Sequence, residues 1–401
     1  MPHITVKPFD TACLKKGKYG KLQGTEVLFK AKDSFSSDEL IAIKHENESF
    51  LLHLKKPLEE KPSSNTWLLK YDKVTRPLKV NLLKQAIADV STGLNLDVLQ
   101  SNITIHDTKV ALSNKYEKSI EDFVDIEFPF ESVAIEVGFG SGKHLLYQAQ
   151  KNPERLFIGI EIHTPSAAQV LKQIQILDLK NIWVVNYDAR LLLEMIPSNL
   201  CHQIFVHFPV PWDKKPQRRV ISASFLEESM RVLAKGGRLE LRTDSYKYFW
   251  YSMETFLGET VTKTAVEVRK NEALEVTSKY EARWLRQEKD IYDVYVTSIK
   301  KSESRRLDFN FSFGDIVYTK EILDKISYQA KIFDGFFIHF ERLFQIDNDA
   351  ILIKLAFGSF DRPEHKYIYL DKSTAYYFNT SPVKTMTNYK THLKIMEYLN
   401  V

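Results

Sequence analysis

Residues 133–144 read V-A-I-E-V-G-F-G-S-G-K-H. Val133, Ala134, Ile135 and Val137 form a short apolar run around Glu136, followed by three alternating glycines, Gly138, Gly140 and Gly142, before an amphipathic run resumes at Leu145. That grammar predicts a buried strand, a tight loop and a helix start. Glycine lets the loop take positive φ and lets a ligand reach the main chain, and the following helix presents N–H groups at its positive end. A dinucleotide fingerprint wants glycine at its first, third and sixth positions. The sixth here is Lys143, which counts against a nicotinamide cofactor.

The same strand, loop and helix order repeats downstream. Residues 155–163 (R-L-F-I-G-I-E-I-H) predict a second buried strand, with Thr164 as a helix cap and Pro165 at the first helical position of a helix reaching about Leu179. Residues 181–188 predict a third strand, 202–209 a fourth, and 237–244 a fifth after a helix closed by Gly236. Near-continuous apolar strands alternating with helices imply an α/β fold, a mostly parallel sheet with helices on both faces. Ligands of such sheets sit at the carboxyl ends of the strands.

The flanks differ. Residues 1–75 alternate runs such as T-E-V-L-F, L-I-A-I and S-F-L-L-H-L with polar breaks, which predicts antiparallel strands. Val80, Leu83, Ile87 and Val90 fall at helical spacing, with Gly93 as a stop. The polar stretch S-I-K-K-S-E-S-R-R at 298–306 reads as a linker. Beyond it F-N-F-S-F, F-F-I-H-F, I-L-I-K-L-A-F, Y-I-Y-L and A-Y-Y-F predict further strands, and 388–399 a short helix. The expected division is a β-rich N-terminal accessory region over 1–125, the α/β domain over 126–300, and a β-rich C-terminal accessory region over 301–401.

At 401 residues, 44% hydrophobic and 27% charged, the composition is that of an ordinary globular chain with room for two or three domains. A net charge of +4 is too mild to declare a nucleic-acid binder by itself. Two cysteines, Cys13 and Cys201, exclude a disulfide framework and a four-thiolate zinc site and favour a reducing compartment. With no apolar run of membrane-spanning length and no signal-peptide core at the start, the expected location is the cytoplasm.

Several acids fall at the expected strand ends. Glu161, 19 residues after Gly142, is placed to accept from two ribose hydroxyls at once. Asp188, with Ala189 beside it, can accept from an adenine amine or cap a helix, and Glu136 can face a cationic amino group or act as a cap. After the fourth strand, residues 207–220 (H-F-P-V-P-W-D-K-K-P-Q-R-R-V) join stiffening prolines and a tryptophan to Lys214, Lys215, Arg218 and Arg219, opposed only by Asp213. Such a loop at a cofactor cleft holds phosphates; elsewhere it is a solvated cationic turn. Trp212, Tyr280 and Trp284 are candidates for stacking on an extruded base or for packing. His163 and His207 are expected to be structural, because no second metal ligand lies at suitable spacing.

The loop E-V-G-F-G-S-G at 136–142 resembles the nucleotide-binding loop of Rossmann-like methyltransferases that use S-adenosylmethionine. From about 131 to 298 the chain resembles the bacterial tRNA (guanine-N7)-methyltransferase family. That loop matches the family's E-I-G-F-G-x-G, and G-I-E-I-H-T-P at 159–165 matches G-I-E-x-H-x-P. F-P-V-P-W-D-K at 208–214, with R-R-V at 218–220, matches F-P-D-P-W-x-K followed by R-R. T-D at 243–244 matches the T-D after the fifth strand, and S-K-Y-E-A-R at 278–283 resembles T-K-F-E-x-R. The resemblance implies a Rossmann-like class I methyltransferase domain in a long form with N- and C-terminal extensions. It implies that Glu136, Glu161 and Asp188, with Gly138, Gly140, Gly142 and Ala189, contact S-adenosylmethionine. It also implies that Lys214, Asp244, Ser278, Lys279, Tyr280 and Glu281 contact the tRNA or its target guanine, beside Arg218 and Arg219 of the basic loop.

The main departure is Val210, where the family has an aspartate usually treated as catalytic; Asp213 for His, Ser278 for Thr and Trp284 for Gly are further ones. Guanine N7 carries an in-plane lone pair and no proton, so its attack on a sulfonium methyl needs no general base. Positioning is then most of the catalysis. The N1–H and exocyclic amine of guanine want carboxylate partners, for which Asp244 and Glu281 are candidates, and a nearby carboxylate also stabilises the developing positive charge. No catalytic side chain is certain, and Asp213 is a candidate for the space that Val210 leaves. The expectation is an active cytoplasmic enzyme, monomer or homodimer, needing no metal and no membrane. It methylates guanine N7 in tRNA, giving 7-methylguanosine in the variable loop (position 46); either Lys15, Lys16, Lys18 and Lys21 widen the tRNA contact or the flanks only pack against the catalytic domain. The alternatives are a tRNA-binding protein that has lost catalysis, and a methyltransferase or nicotinamide oxidoreductase acting on a small molecule.

Overall fold

The structure is a computed structural model. It describes every residue except 1, 13, 15–20, 58–65, 76–79, 105–114, 125, 259–263, 277–286, 288, 306 and 401, and all of Lys21 but its side chain. Two units divide the chain, one of residues 110–308 with 383–385, the other of 1–109, 309–382 and 386–401.

In the first unit, β1 (Val133–Val137), β2 (Leu156–Ile160) and β3 (Ile182–Val185) are buried at every residue, as strands covered on both faces must be. With β4 (Cys201–His207), β5 (Leu233–Thr243), β6 (Ala265–Lys270) and β7 (Tyr292–Thr297) they give the order β3-β2-β1-β4-β5-β7-β6, extended past β3 by Glu117–Lys118. The first five strands are parallel and β7 runs antiparallel to both its neighbours. This is the expected Rossmann-like arrangement, a mostly parallel sheet. Strand order reverses between β1 and β4, which opens a crevice at their carboxyl ends.

Helices α1 (Lys143–Lys151), α2 (Thr164–Ile176), α3 (Ala189–Met195), α4 (Ala223–Val232) and α5 (Tyr246–Phe256) follow the first five strands in turn. Side chains alternate across a strand, so Val133, Ile135 and Val137 join the cluster containing Leu192, Phe225 and Tyr248, while Ala134 joins the one containing Leu145 and Val170. Glu136 therefore shares its face with α1.

Two local expectations are corrected. Gly236 does not close the preceding helix. The helix ends at Val232, β5 begins at once, and Gly236 (φ +86°) sits in a bulge where Cys201 pairs Leu233 but Gln203 pairs Arg238. Its N–H donates to the Ser298 carbonyl at 2.7 Å, a partner far along the chain that local pattern does not reveal. Thr164 is the first residue of α2, not its cap, and its hydroxyl donates to Asn186 Oδ1 at 2.8 Å.

The second unit holds a 12-stranded antiparallel sheet to which both ends of the chain contribute. The strand Phe336–Asp347 pairs with Thr25–Asp33, so the two flanks close one sheet. Arg342 donates to Asp33 at 2.6 Å and the Tyr367 hydroxyl to Asp72 at 3.1 Å across that junction. Val80–Gly93 and Met386–Leu399 are its two long helices among the described residues. The F-N-F-S-F stretch, expected as a strand, is irregular. Its rings serve as separate anchors instead: Phe309 stacks on Tyr389 at 4.3 Å, and buried Phe313 meets Tyr377 and His392.

Candidate active site

The glycine loop leaves β1 at the topological switch. Gly138, Gly140 and Gly142 have φ of +71°, +53° and +71°, a region that residues with a Cβ rarely enter. Their surroundings separate their roles. A Cβ on Gly142 would stand 2.3 Å from Val170 Cγ2, so this glycine permits α1 and α2 to pack. A Cβ on Gly138 or Gly140 would meet nothing within 4 Å, which leaves their main chain open to a ligand. Gly159, not singled out from the sequence, belongs with Gly142, since its Cβ would stand 2.3 Å from Leu145 Cδ2.

Glu161 follows β2 directly and is buried. Its Oε2 accepts from the Gly140 N–H at 2.9 Å and its Oε1 from the His163 N–H at 2.9 Å. Asp188 is the N-cap of α3, accepting from the Arg190 N–H at 2.9 Å and from the Arg190 guanidinium at 2.7 Å, with buried Ala189 next to it. Glu136 lies buried in β1 and pairs with His144 Nδ1 on α1 at 2.8 Å.

This last contact begins a network that sequence reading missed. The His144 and His207 rings lie 4.6 Å apart, and His207 Nε2 meets Glu240 Oε1 at 2.9 Å. Burial alone would raise the Glu240 carboxyl. The His207 hydrogen bond, with the charges of His207, His144 and Arg242, instead brings it below the ordinary glutamate value. The signal was present as an acid inside the apolar run L-E-L of β5. His163 bonds Ser166 Oγ at 2.9 Å, so both expected histidines have structural partners.

The loop after β4 is held by its own main chain and by one buried cation. The Phe208 N–H donates to the Arg242 carbonyl at 2.7 Å, and Phe208 and Trp212 both have positive φ. Arg219, grouped above with the phosphate-facing cations, is buried inside the loop. Its Nε donates to the Pro211 carbonyl at 2.7 Å, its guanidinium lies 4.3 Å from the Tyr251 ring, and Asp213 faces it at 3.6 Å. Lys214, Lys215 and Arg218 are exposed, with the Arg218 guanidinium 5.2 Å from the Trp212 ring. Val210 is 60% exposed.

At the end of β5, Asp244 accepts from Lys289 Nζ at 3.2 Å, and Ser245 caps α5 through the Tyr248 N–H. The structure thus gathers Glu136, Gly138, Gly140, Glu161 and the 208–219 loop at one edge of the sheet. Ser278, Lys279, Tyr280, Glu281 and Trp284 lie outside the described residues, as do Lys15, Lys16, Lys18 and the side chain of Lys21.

The "Putative methyltransferase" family model matches residues 131–294, the span that carries this edge. The tRNA (guanine-N(7)-)-methyltransferase of Campylobacter jejuni strain 81-176 is 40% identical over 382 residues, covering 94% of each chain. The chain belongs to the tRNA (guanine-N7)-methyltransferase family. Family relatives of the same name include those of Wolinella succinogenes, 37% identical over 90% of this chain and 91% of that one, and Helicobacter acinonychis, 41% identical over 84% and 83%. Family likeness therefore extends through both units, including the flanks that lie outside the five motifs. Among solved structures, that of the 16S rRNA methyltransferase KamB is 18% identical and covers 46% of this chain and 92% of that one, with a TM-score of 0.33. No helix of the described residues is long and apolar enough to cross a membrane.

Proposed function

We propose that this chain transfers the methyl group of S-adenosylmethionine to N7 of a guanine in tRNA, at position 46 of the variable loop, in the cytoplasm. The observation that carries the reading is the Glu161 clamp on an open glycine loop, with a rigid basic loop leaving the adjacent strand. The residues fit the cofactor. Gly138 and Gly140 leave space where a side chain would stand, and each Glu161 oxygen keeps a lone pair beyond its main-chain bond, enough for a vicinal diol.

When bound, the cofactor supplies an electrophilic sulfonium methyl. Glu161 would orient its ribose, Glu136 would face its amino group and Asp188 its adenine side. Lys214 and Arg218 would hold tRNA phosphates, with Arg219 keeping their loop in shape. Asp244 and Glu281 would accept from the donors of the guanine edge, which presents N7 without any proton transfer. Val210 is compatible with that chemistry because no base is required. A small-molecule methyltransferase would have no use for the basic loop.

The test is incubation with unmodified tRNA transcripts and methyl-labelled S-adenosylmethionine, followed by digestion. Labelled 7-methylguanosine, absent when guanine 46 is replaced, supports the reading. Tight tRNA binding without label would favour an inactive binder, and label on a small molecule alone would favour the other rival.

A further inference from the structure

We propose that Tyr246 and Trp250 form a stacking platform for an unpaired nucleotide of the tRNA, beside the guanine site at the end of β5. The inference rests on the methyl-transfer reading above and names a surface that the reading does not use.

The two residues stand one helical turn apart and so share a face of α5. Tyr246 is 57% and Trp250 50% exposed, their ring centroids 6.0 Å apart and nearly perpendicular. Tyr248, Phe249 and Phe256 of the same helix fill the core, and the two exposed rings lie at the margin of that face, 6.4 and 5.4 Å from the Phe249 ring. They are nonetheless firmly mounted. Tyr246 lies 5.8 Å from Tyr292, which stacks on buried Phe249 at 4.8 Å.

Position and charge identify the occupant. The helix starts two residues past Asp244, and the 208–219 loop leaves the sheet beside it, because His207 and Arg242 are register partners. That loop carries a third exposed aromatic, Trp212, 5.2 Å from the Arg218 guanidinium. Exposed Lys247 follows Tyr246 in the helix, Lys289 is bonded to Asp244, and Lys270, paired with Asp290 at 2.8 Å, lies 5.9 Å from the Tyr292 ring. Aromatic rings interleaved with cations are what an unpaired nucleic-acid strand requires. A guanine drawn into a pocket leaves its neighbours unstacked, and an exposed ring replaces the lost stack whatever the base.

The experiment compares the full-length protein with Tyr246→Ala/Trp250→Ala and with Trp250→Phe. Transcript affinity is measured by filter binding over a salt series, with KM for each substrate and sedimentation alongside. The double alanine variant is expected to weaken tRNA binding by about tenfold or more. The salt slope, the KM for S-adenosylmethionine and the sedimentation coefficient should stay unchanged, and Trp250→Phe should keep most of the parent's affinity. Binding within about twofold of the parent would overturn the platform. So would a loss that tracks dissociation of a dimer, since a second copy would then be the occupant. Because affinity is read without turnover, a parent protein that binds tRNA but makes no 7-methylguanosine would sink the methyl-transfer reading while the comparison still decides the platform.

Discussion

The Oε2 atom of Glu161 lies 2.9 Å from the main-chain nitrogen of Gly140, so the acid expected to hold a ribose also fixes the glycine loop. Its second oxygen fixes the start of α2 through His163. In Glu161→Gln the amide NH2 must face one of these two donors, leaving a buried N–H unmatched. Hydrogen bonds to a charged group are worth about 1.5–3 kcal/mol, and stability should fall by about that amount. S-adenosylmethionine affinity should fall at least tenfold by calorimetry, roughly 1.4 kcal/mol. Loss of stability with unchanged affinity would show that Glu161 clamps the loop and does nothing else.

The glycines should respond differently to alanine. Gly142→Ala combines left-handed strain of about 1–2 kcal/mol with overpacking against Val170 of about 1–3 kcal/mol, and it should cost most in stability. Adding Val170→Ala should relieve part of that loss. Gly140→Ala meets no neighbour, so it should cost only the backbone strain while its methyl obstructs the ligand face. Urea midpoints and cofactor affinities measured on the same samples should therefore rank the two variants in opposite orders.

In the basic loop, burial separates two neighbouring positions. Arg219→Ala removes a hydrogen bond to Pro211 and the contacts with Tyr251 and Tyr248, and should destabilise by about 2–3 kcal/mol while raising the tRNA KM. Val210→Asp, at an exposed position, should shift stability by less than about 0.5 kcal/mol and leave kcat within a few fold, because N7 needs no base. A large rise in kcat would instead show that electrostatic stabilisation of the purine cation limits the parent protein.

Acid should loosen the accessory sheet through Glu341. The His365 hydrogen bond is the main cause of its lowered pKa; burial opposes it and Lys354, at 2.9 Å, adds to it, bringing the carboxyl down to about 2. A depressed carboxyl stabilises the fold above its unfolded value and loses that contribution as pH falls through its folded value. The window is thus from the ordinary 4.5 down to about 2. Glu341→Gln should lower stability by about 1–2 kcal/mol at pH 6, allowing for solvent screening, and by much less at pH 3. Denaturant titrations at the two pH values measure both.

Sequence alone shows the parallel strands well, because Val133–Val137 and Leu156–Ile160 are apolar runs bounded by turn residues and no distant partner is needed to recognise them. Glu161 is legible from its spacing after the glycines. Its clamp on Gly140 and His163 is not, since main-chain donors leave no trace in side-chain pattern. The pairing of Glu136 with His144 and the burial of Arg219 escape for a related reason, each depending on which neighbour folds beside it. Asp188 reads equally well as ligand or cap; its Arg190 contacts make it the cap of α3, a role that a carboxylate can hold while also facing a ligand. The shared sheet is least legible of all, because Arg342 and Asp33 meet across 309 positions.

That sheet has a consequence for how the chain is made. Residues 110–308 are contiguous apart from a three-residue return at 383–385, so nearly all of the catalytic unit has left the ribosome before its neighbour can be finished. Lys32 and Asp33, at the end of the early strand Thr25–Asp33, wait for Gln345 and Phe344 of Phe336–Asp347 to pair with them. A nascent chain interrupted between residues 308 and 336 therefore carries a near-complete methyltransferase attached to an unfinished sheet, and such an open β-edge is a natural client for chaperones that shield unpaired strands.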